Sequence, residues 1–229
     1  MLLNDGRVLV IDTYNQLADL YDPTKGTFSP TGAPIESRHG WPAATLMQDG
    51  RILLVGGWDD QLREVASAEI YDPNTGVFTA TGSMESPRNE STATALSDGR
   101  VLVAGGTGSN SLRVTSSEVY DPSRGAFAAS GSMAVPCAMH SAVGLADGRV
   151  LLVGGTNQSD RAISTTQIYD PTSRTFSTSG SMTVTRYSAT VTLLADGRVL
   201  VAGGEGNAQV LRESAELYDP AKGTFSPAW

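Results

Sequence analysis

Three arginines stand at one recurring place in the sequence and have side chains suited to binding carboxylates. Arg38, Arg88 and Arg186 each come shortly before a run of β-branched and apolar residues. A guanidinium group presents a planar fork of N–H donors that fits a carboxylate. The pattern therefore predicts a cationic site for an acidic peptide or protein loop. The alternative is that the arginines pair with nearby backbone or with acids such as Glu36 and Glu90.

A second set of candidates is aromatic or carries an imidazole or a thiol. Indole and phenol rings offer a large apolar face with one polar atom, which suits the binding of a sugar ring. Imidazole and thiolate groups suit copper or zinc, but their spacing here supports no metal site. We predict ligand-binding roles for the aromatic and imidazole side chains, with no metal, no cofactor and no catalytic residue. The set comprises Tyr14, Trp41, Trp58 and Tyr187, with His39, His140 and Cys137.

Other patterns of catalytic residues are weak or missing. Glu69, Glu118 and Glu216 recur at one position, where the fourth unit has Gln167. A position repeated in nearly every unit is predicted to be structural. The sequence contains no Gly-x-Ser-x-Gly nucleophile elbow and no Gly-x-x-x-x-Gly-Lys phosphate loop.

The elements that must position these candidates come from a repeat. Two signatures return every 49 residues from the second unit onward, and such a period is typical of a propeller or a solenoid. An apolar run follows the first signature, and a Phe follows the second. Asp-Gly-Arg stands at 5–7, 49–51, 98–100, 147–149 and 196–198, and Tyr-Asp-Pro at 21–23, 71–73, 120–122, 169–171 and 218–220.

Each complete unit predicts four short antiparallel strands. In the fifth unit these are 186–194, 198–202, 214–218 and a strand around Phe225. The Asp-Gly pair between the first two strands predicts a two-residue hairpin with a type I′ turn. Arg174 replaces the glycine of the Tyr-Asp-Pro turn in the fourth unit, so that turn is predicted to be slightly different or strained. Four strands without a helical period indicate a propeller blade.

The unit resembles the kelch repeat, whose marks are Gly-Gly after the second strand, then a Tyr, then an aromatic residue in the fourth strand. The resemblance covers nearly the whole chain, although Phe stands where kelch repeats usually have Trp and the first unit has 10–13 (Val-Ile-Asp-Thr) in place of Gly-Gly. It implies an all-β fold: one β-propeller domain over 1–229 with four-stranded antiparallel blades. The predicted blade units are 1–31, 32–81, 82–130, 131–179 and 180–229.

The number of blades is predicted to be five. Kelch propellers usually have six or seven, so the chain is either a small five-bladed ring or a segment of something larger. The chain supplies five sets of second, third and fourth strands but only four complete first strands. Blade 1 therefore lacks most of its inner strand, and we expect a nearly closed ring that is weak between blades 1 and 5. An open strand edge favours pairing with another chain, so self-association is predicted.

Chain direction separates the candidates from the repeated turns. The two hairpin turns of each blade lie on one face, and the loops between second and third strands share the other face with the links between blades. The candidate ligand residues all belong to this second face, here called the loop face. Loops on a rigid scaffold often carry binding residues, so the ligand site is predicted there.

The composition of the chain limits the classes of partner that are expected. The 229 residues carry a formal charge of −8, so nucleic acid is not a predicted partner. Cys137 is the single cysteine and allows no internal disulfide. The sequence as given shows no leader and no apolar run of membrane-spanning length, which predicts a soluble chain without membrane insertion. Such a chain could still be one domain of a secreted or anchored protein.

Three functions follow from the kelch resemblance. The first, which we favour here, is a non-enzymatic module that binds an acidic peptide or protein at the axial mouth of the loop face. The second is carbohydrate binding on the aromatic residues. The third is a kelch-class sugar enzyme, such as an epimerase acting on sialic acid or an oxidase like galactose oxidase, whose copper uses His and Tyr ligands at a spacing that this sequence does not match.

Overall fold

A computed structural model describes residues 1–38 and 40–228 of the chain. Almost all of its regular structure is β-strand, with two short 3-10 turns at Ser109–Ser111 and Asn207–Gln209. In chain order the strands are β1 (Val8–Asp12), β2 (Leu17–Asp22), β3 (Thr27–Pro30), β4 (Ala43–Leu46), β5 (Ile52–Val55), β6 (Ala68–Asp72), β7 (Val77–Ala80), β8 (Thr92–Ala95), β9 (Val101–Ala104), β10 (Thr107–Gly108), β11 (Leu112–Arg113), β12 (Ser116–Asp121), β13 (Ala126–Ser132), β14 (Ser141–Gly144), β15 (Val150–Val153), β16 (Thr166–Asp170), β17 (Thr175–Thr178), β18 (Thr190–Leu193), β19 (Val199–Ala202), β20 (Ala215–Asp219) and β21 (Thr224–Pro227).

The strands form a series of antiparallel sheets that follow the sequence repeat. The first sheet has three strands, in the order β1-β2-β3. The second to fifth sheets have four strands each, in the orders β4-β5-β6-β7, β8-β9-β12-β13, β14-β15-β16-β17 and β18-β19-β20-β21. This confirms the predicted all-β architecture of four-stranded antiparallel blades. The total number of blades in the ring stays a prediction.

The first sheet has only a remnant of an inner strand, as the sequence predicted. Leu2 forms a single bridge with Val8, and the Leu9 amide donates to the Met1 carbonyl at 2.8 Å. Beyond Leu9 no such strand lies alongside β1 among the described residues. This leaves the far half of the β1 edge uncovered.

The Asp-Gly-Arg turns differ from the prediction in type. Gly50 has φ of 84°, as expected, but Asp49 is not in the left-handed region. The Gly50 amide donates to the Met47 carbonyl at 3.0 Å, so the loop is a type I turn closed by a left-handed glycine rather than a type I′ turn. Asp49 accepts the backbone N–H and the guanidinium of Arg51, which holds the turn in this form. The other three Asp-Gly-Arg copies with a preceding strand share the left-handed glycine.

Neighbouring sheets stack face to face around apolar cores. The second strands β5, β9 and β15 are buried along their whole length, which explains their unbroken apolar runs. Four core clusters join the first sheet to the second, the second to the third, the third to the fourth and the fourth to the fifth. The inner strands β4, β8, β14 and β18 contact one another in that order and so lie about a common axis.

A hydrogen bond between two side-chain hydroxyl groups connects the neighbouring sheets at each of these four junctions, on the outer side. The buried tyrosine of the Tyr-Asp-Pro signature meets a Thr or Ser hydroxyl at or near the end of the last strand of the preceding sheet, at 2.6–2.8 Å. Each of these tyrosines also packs at a tilt on the Phe of its own sheet. The repeated Tyr and Phe are therefore junction residues. The pairs are Thr31–Tyr71, Thr81–Tyr120, Ser130–Tyr169 and Ser179–Tyr218.

Candidate functional site at the axial mouth

The three arginines of the predicted cationic site are buried rather than exposed. Arg38, Arg88 and Arg186 are each 0% exposed. Arg88 shows the geometry that they share: it donates to the Gly105 and Ser116 carbonyls at 3.1 and 2.8 Å and to Glu118 at 3.0 Å. Arg38 and Arg186 make the equivalent bonds with Glu69 and Glu216, each at 3.2 Å. We call each of these pairs an arginine clamp.

Each clamp joins a link between sheets to the sheet that follows. The second role of the glutamate shows how: Glu118 also accepts the backbone amides of Glu85 and Ser86, at 2.7 and 3.2 Å. The carboxylate is therefore saturated by one guanidinium and two amides. This corrects the prediction of an exposed acidic-ligand site, because the guanidinium groups have no solvent-facing surface. The alternative prediction, that the arginines pair with backbone and nearby acids, fits the structure. Arg38 also lies 3.4 Å from Glu36.

The fourth sheet replaces both members of the clamp. Cys137 stands in the arginine position and Gln167 in the glutamate position. Gln167 still accepts the amides of Ala134 and Val135 through its Oε1, at 2.7 and 3.2 Å, and its Nε2 donates to the Val135 carbonyl. A lone buried carboxylate would be strongly destabilising, so the two neutral replacements belong together.

The links form a second, more exposed structure just beyond the clamps. Here a ladder of backbone hydrogen bonds runs around the axis: the Glu90 amide donates to the Trp41 carbonyl, Met139 to Glu90, and Ser188 to Met139, at 3.1, 3.0 and 2.9 Å. Glu90, Met139 and Ser188 all have φ between 51° and 53°. A left-handed conformation costs a non-glycine residue about 1–2 kcal/mol, and such strain tends to collect at functional sites.

A groove of about 410 Å³ lies at this axial mouth. It contains Trp41, which is 61% exposed and stands edge-on to Trp58 with ring centroids 5.5 Å apart. Trp58 in turn packs against Gly40, where a Cβ would lie 2.4 Å from its ring. This axial groove is lined by Trp41, Pro42, Glu90, Ser91, Met139, His140, Tyr187, Ser188, Glu205 and Gln209.

Two carboxylates and a phenol supply polar groups to the axial groove. The Tyr187 hydroxyl donates to Glu205 at 2.7 Å, and this bond raises the pKa of Tyr187. Glu90 accepts the Thr107 hydroxyl at 2.7 Å and pairs with Arg113 at 3.2 Å. The groove thus combines an exposed indole with hydrogen-bond acceptors of negative charge.

The two remaining titratable groups near the axis are held neutral. His140 is 5% exposed, its Nε2 lies 2.9 Å from the Thr92 hydroxyl, and burial lowers its pKa to about 4. Burial raises the pKa of the Cys137 thiol to about 12. Neither group is ionised near neutral pH. Cys137 is therefore a packing residue and a poor nucleophile.

The remaining sequence candidates lie apart from the groove. Tyr14 is 65% exposed in the turn between β1 and β2 and does not line the groove. His39 lies outside the described residues. A wider depression of about 880 Å³ lies at the rim beside the loop after β5, but the Asp59 carboxylate there is bonded to Arg63. Within 1–38 and 40–228, no three His, Cys, Asp or Glu side chains gather as a metal site would require.

The sequence identified three residues of the axial groove and missed others. Trp41, His140 and Tyr187 were predicted ligand residues and lie together in the groove. Glu90 was considered only as a partner for an arginine, and Glu205 was not singled out. One signal could have found Glu90: residues 41, 90, 139 and 188 are spaced by one repeat yet are Trp, Glu, Met and Ser.

Comparison with known proteins agrees with this geometry. The model of the Kelch motif matches residues 42–85, which span the second sheet. Residues 42–85 therefore form one kelch repeat. A solved structure of a fungal alcohol oxidase of the AA5 family, in complex with copper, has a TM-score of 0.60 and 18% sequence identity to the kelch-repeat chain. The match covers 100% of this chain and 63% of that one, and at this identity it shows the fold alone.

Two searches gave negative results. No curated protein matches the kelch-repeat chain. No described helix is long and apolar enough to cross a membrane.

Proposed function

We propose that the kelch-repeat chain is a non-enzymatic binding module whose axial groove takes a neutral carbohydrate. The observation that carries the proposal is Trp41, a 61% exposed indole braced by Trp58 on the one surface where the repeat varies its side chains. A large exposed ring held in place by a second ring is suited to stacking on the apolar face of a sugar.

The polar lining supports the same ligand class. Glu90 and Glu205 are carboxylate acceptors at the walls of the groove. Sugar hydroxyl groups are donors, and hydrogen bonds to a charged acceptor contribute roughly 1.5–3 kcal/mol each. Tyr187 already holds Glu205 at 2.7 Å, so this acceptor is oriented before a ligand arrives.

The same lining disfavours an acidic peptide, the ligand that the arginine pattern first suggested. The arginines that would receive it are buried, and two carboxylates line the groove in their place. Arg113 is the basic group beside Glu90, and it is already paired with Glu90 and with Asp160 at 3.2 and 2.5 Å. An acidic ligand would therefore meet like charge.

Binding without catalysis is proposed because two ionisable groups of the groove, His140 and Tyr187, are poorly matched to acid–base work. A general acid or base is most effective when its pKa lies near the working pH. The pKa of His140 is lowered to about 4, and that of Tyr187 is raised by Glu205.

The test is a binding screen followed by titration. An array of neutral gluco-, galacto- and manno-oligosaccharides, with a polyglutamate peptide as the acidic probe, would be followed by calorimetry on the best binder. We expect glycan binding that changes little with salt and weakens about tenfold or more in Trp41→Ala. Tyr14→Ala, which removes an exposed ring outside the groove, is the matched control. Salt-sensitive binding of polyglutamate alone, or full glycan affinity in Trp41→Ala, would refute the proposal.

A further inference from the structure

The two end sheets each leave one broad face uncovered. On the first sheet, Val10 is 47% exposed and Phe28 is 63% exposed, whereas Phe78, the counterpart of Phe28 in the second sheet, is 5% exposed. We call this the leading face, formed by Val8, Val10, Tyr21 and Phe28. On the fifth sheet, Leu200 and Ala202 of β19 are only partly buried, although the same strand is fully buried in the second, third and fourth sheets. We call this the trailing face, formed by Leu194, Leu200, Ala202 and Leu217.

The internal junctions show what covers such faces. Between the second and third sheets, Leu53, Val55 and Ile70 pack in one cluster with Val101, Val103 and Tyr120. Counted by the repeat, the first three correspond to Leu200, Ala202 and Leu217 of the trailing face. The second three correspond to Val8, Val10 and Tyr21 of the leading face. The chain therefore carries both halves of one further junction of the kind it already makes four times.

The two halves do not meet within one molecule. The four core clusters of the described residues join consecutive sheets, and none joins the fifth sheet to the first. Both faces are exposed at the same time.

We infer that the trailing face of one molecule packs on the leading face of a second copy of this chain. The junction is heterologous, because two different surfaces meet in it. Each copy offers one face of each kind, so assembly either closes a ring of several copies or continues into a longer row of sheets. Exposed apolar faces also favour association by burial of apolar surface.

The polar part of this junction is weaker than its internal counterparts. Tyr21 occupies the position of Tyr71, whose hydroxyl lies 2.8 Å from Thr31. The residue of the trailing side that corresponds to Thr31 is Ala228, which follows the last strand in the same way, with its amide bonded to the Ala215 carbonyl at 2.9 Å. Ala228 has no hydroxyl to meet Tyr21. Replacing it by threonine should complete the pair and tighten association about fivefold.

The experiment is a complementation test by sedimentation velocity on the whole chain. Wild type should associate in a concentration-dependent way. Val10→Glu removes the leading face and Leu200→Glu removes the trailing face, so each variant alone should be monomeric. An equimolar mixture retains one intact face of each kind and should form a 1:1 heterodimer that grows no further. Ala228→Thr should shift wild-type association to lower concentration.

Several results would overturn the inference. A wild-type monomer at every concentration, or a Val10→Glu variant that still associates, would do so. A mixture that stays monomeric would show that the two faces do not bind each other. Association of Leu200→Glu alone would also overturn the inference, because that variant leaves β1 unchanged and pairing of two β1 edges would persist in it. If Val10→Glu fails to fold, Phe28→Lys supplies the leading-face defect. If Leu200→Glu fails to fold, an Ala228→Thr variant that associates no more tightly than wild type would decide against the inference.

Discussion

The arginine clamps and the axial mouth lie on the same links between sheets, but they differ in how their side chains vary from one sheet to the next. Arg88 and Glu90 are two residues apart, but Arg88 is buried against Glu118 while Glu90 lines the groove. At the clamp, both the backbone and the side-chain chemistry repeat. At the mouth, the left-handed backbone repeats at Glu90, Met139 and Ser188, but the side chains at this position differ from link to link. The repeated side chains at the clamp pack between sheets, and the varied side chains at the mouth are those that we propose to bind a ligand.

The fourth sheet sharpens this comparison. Its clamp has lost the arginine and the carboxylate together, which fits a constraint on the pair rather than on either residue alone. Gln167 keeps the amide-accepting half of the glutamate's role and needs no cation. A ligand site would require an exposed charge at this position, and neither Cys137 nor Gln167 supplies one.

The largest expected effect comes from breaking one clamp. Arg88→Ala leaves Glu118 buried at 3% exposure without its cation, which should lower the free energy of unfolding by roughly 3–5 kcal/mol. Urea denaturation would measure it. The control, Trp41→Ala at the exposed mouth, should change the same quantity by less than about 1 kcal/mol. Equal losses in both variants would remove the distinction between clamp and mouth.

Introducing the residues of the fourth sheet should restore most of the free energy of unfolding that is lost when the clamp is broken. The double variant Arg88→Cys with Glu118→Gln installs in the third sheet the neutral pair that Cys137 and Gln167 form. We expect it to be more stable than Arg88→Cys alone by about 2 kcal/mol or more, since coupled residues show interaction energies of this order. Strictly additive effects in a double-mutant cycle would contradict the paired role.

The repeat made most of the fold predictable, and its limits explain what was missed. A 49-residue period with fixed turn signatures specifies strands, their order and the incomplete first sheet. The turn type was wrong because an Asp-Gly pair is common both to type I′ turns and to a type I turn closed by a left-handed glycine. Single-residue preference does not separate the two; the bond from Gly50 to Met47 does.

The site was only partly predictable for a different reason. Sequence reasoning assigned Arg38, Arg88 and Arg186 to a ligand because charge near a propeller mouth can serve either purpose. Only the coordinates show that the links turn these side chains inward. Trp41 and Tyr187 were found because they depart from the repeat. Glu205 was missed although it directly follows Gly-Gly, at the repeat position that Trp58 occupies in the second unit.

A pH dependence should follow from the buried histidine in the groove wall. The pKa of His140 is about 4 in the folded chain and ordinarily 6.5, so the unfolded chain takes up a proton in this window while the folded chain does not. The free energy of unfolding should therefore fall as pH is lowered from about 6.5 to 4. His140→Gln, which can still bond to Thr92, should show a shallower fall in pH-resolved urea titrations. Identical slopes would mean that this histidine is not buried neutral.

A smaller effect is expected at the outer turn of the fourth sheet. Arg174 has φ of 56°, where the other repeats have glycine. Arg174→Gly should raise the free energy of unfolding by about 1 kcal/mol, because the left-handed strain is relieved. Gly26→Ala is the mirror control: φ is 67° and no atom lies within 4 Å of the added Cβ, so strain alone should destabilise it. An unchanged free energy of unfolding in both variants would show that the left-handed conformation causes no strain at these turns.

The most direct test of the contrast between clamp and mouth is a single pair of calorimetric titrations with the strongest neutral oligosaccharide of the array. One titration uses the Arg88→Cys, Glu118→Gln double variant, which loses the arginine but keeps the neutral pairing of the fourth sheet. The other uses Trp41→Ala. The dissociation constant should be unchanged in the double variant and about tenfold or more weaker in Trp41→Ala. Weakened binding in the double variant with full affinity in Trp41→Ala would place the ligand at the arginines and contradict the account.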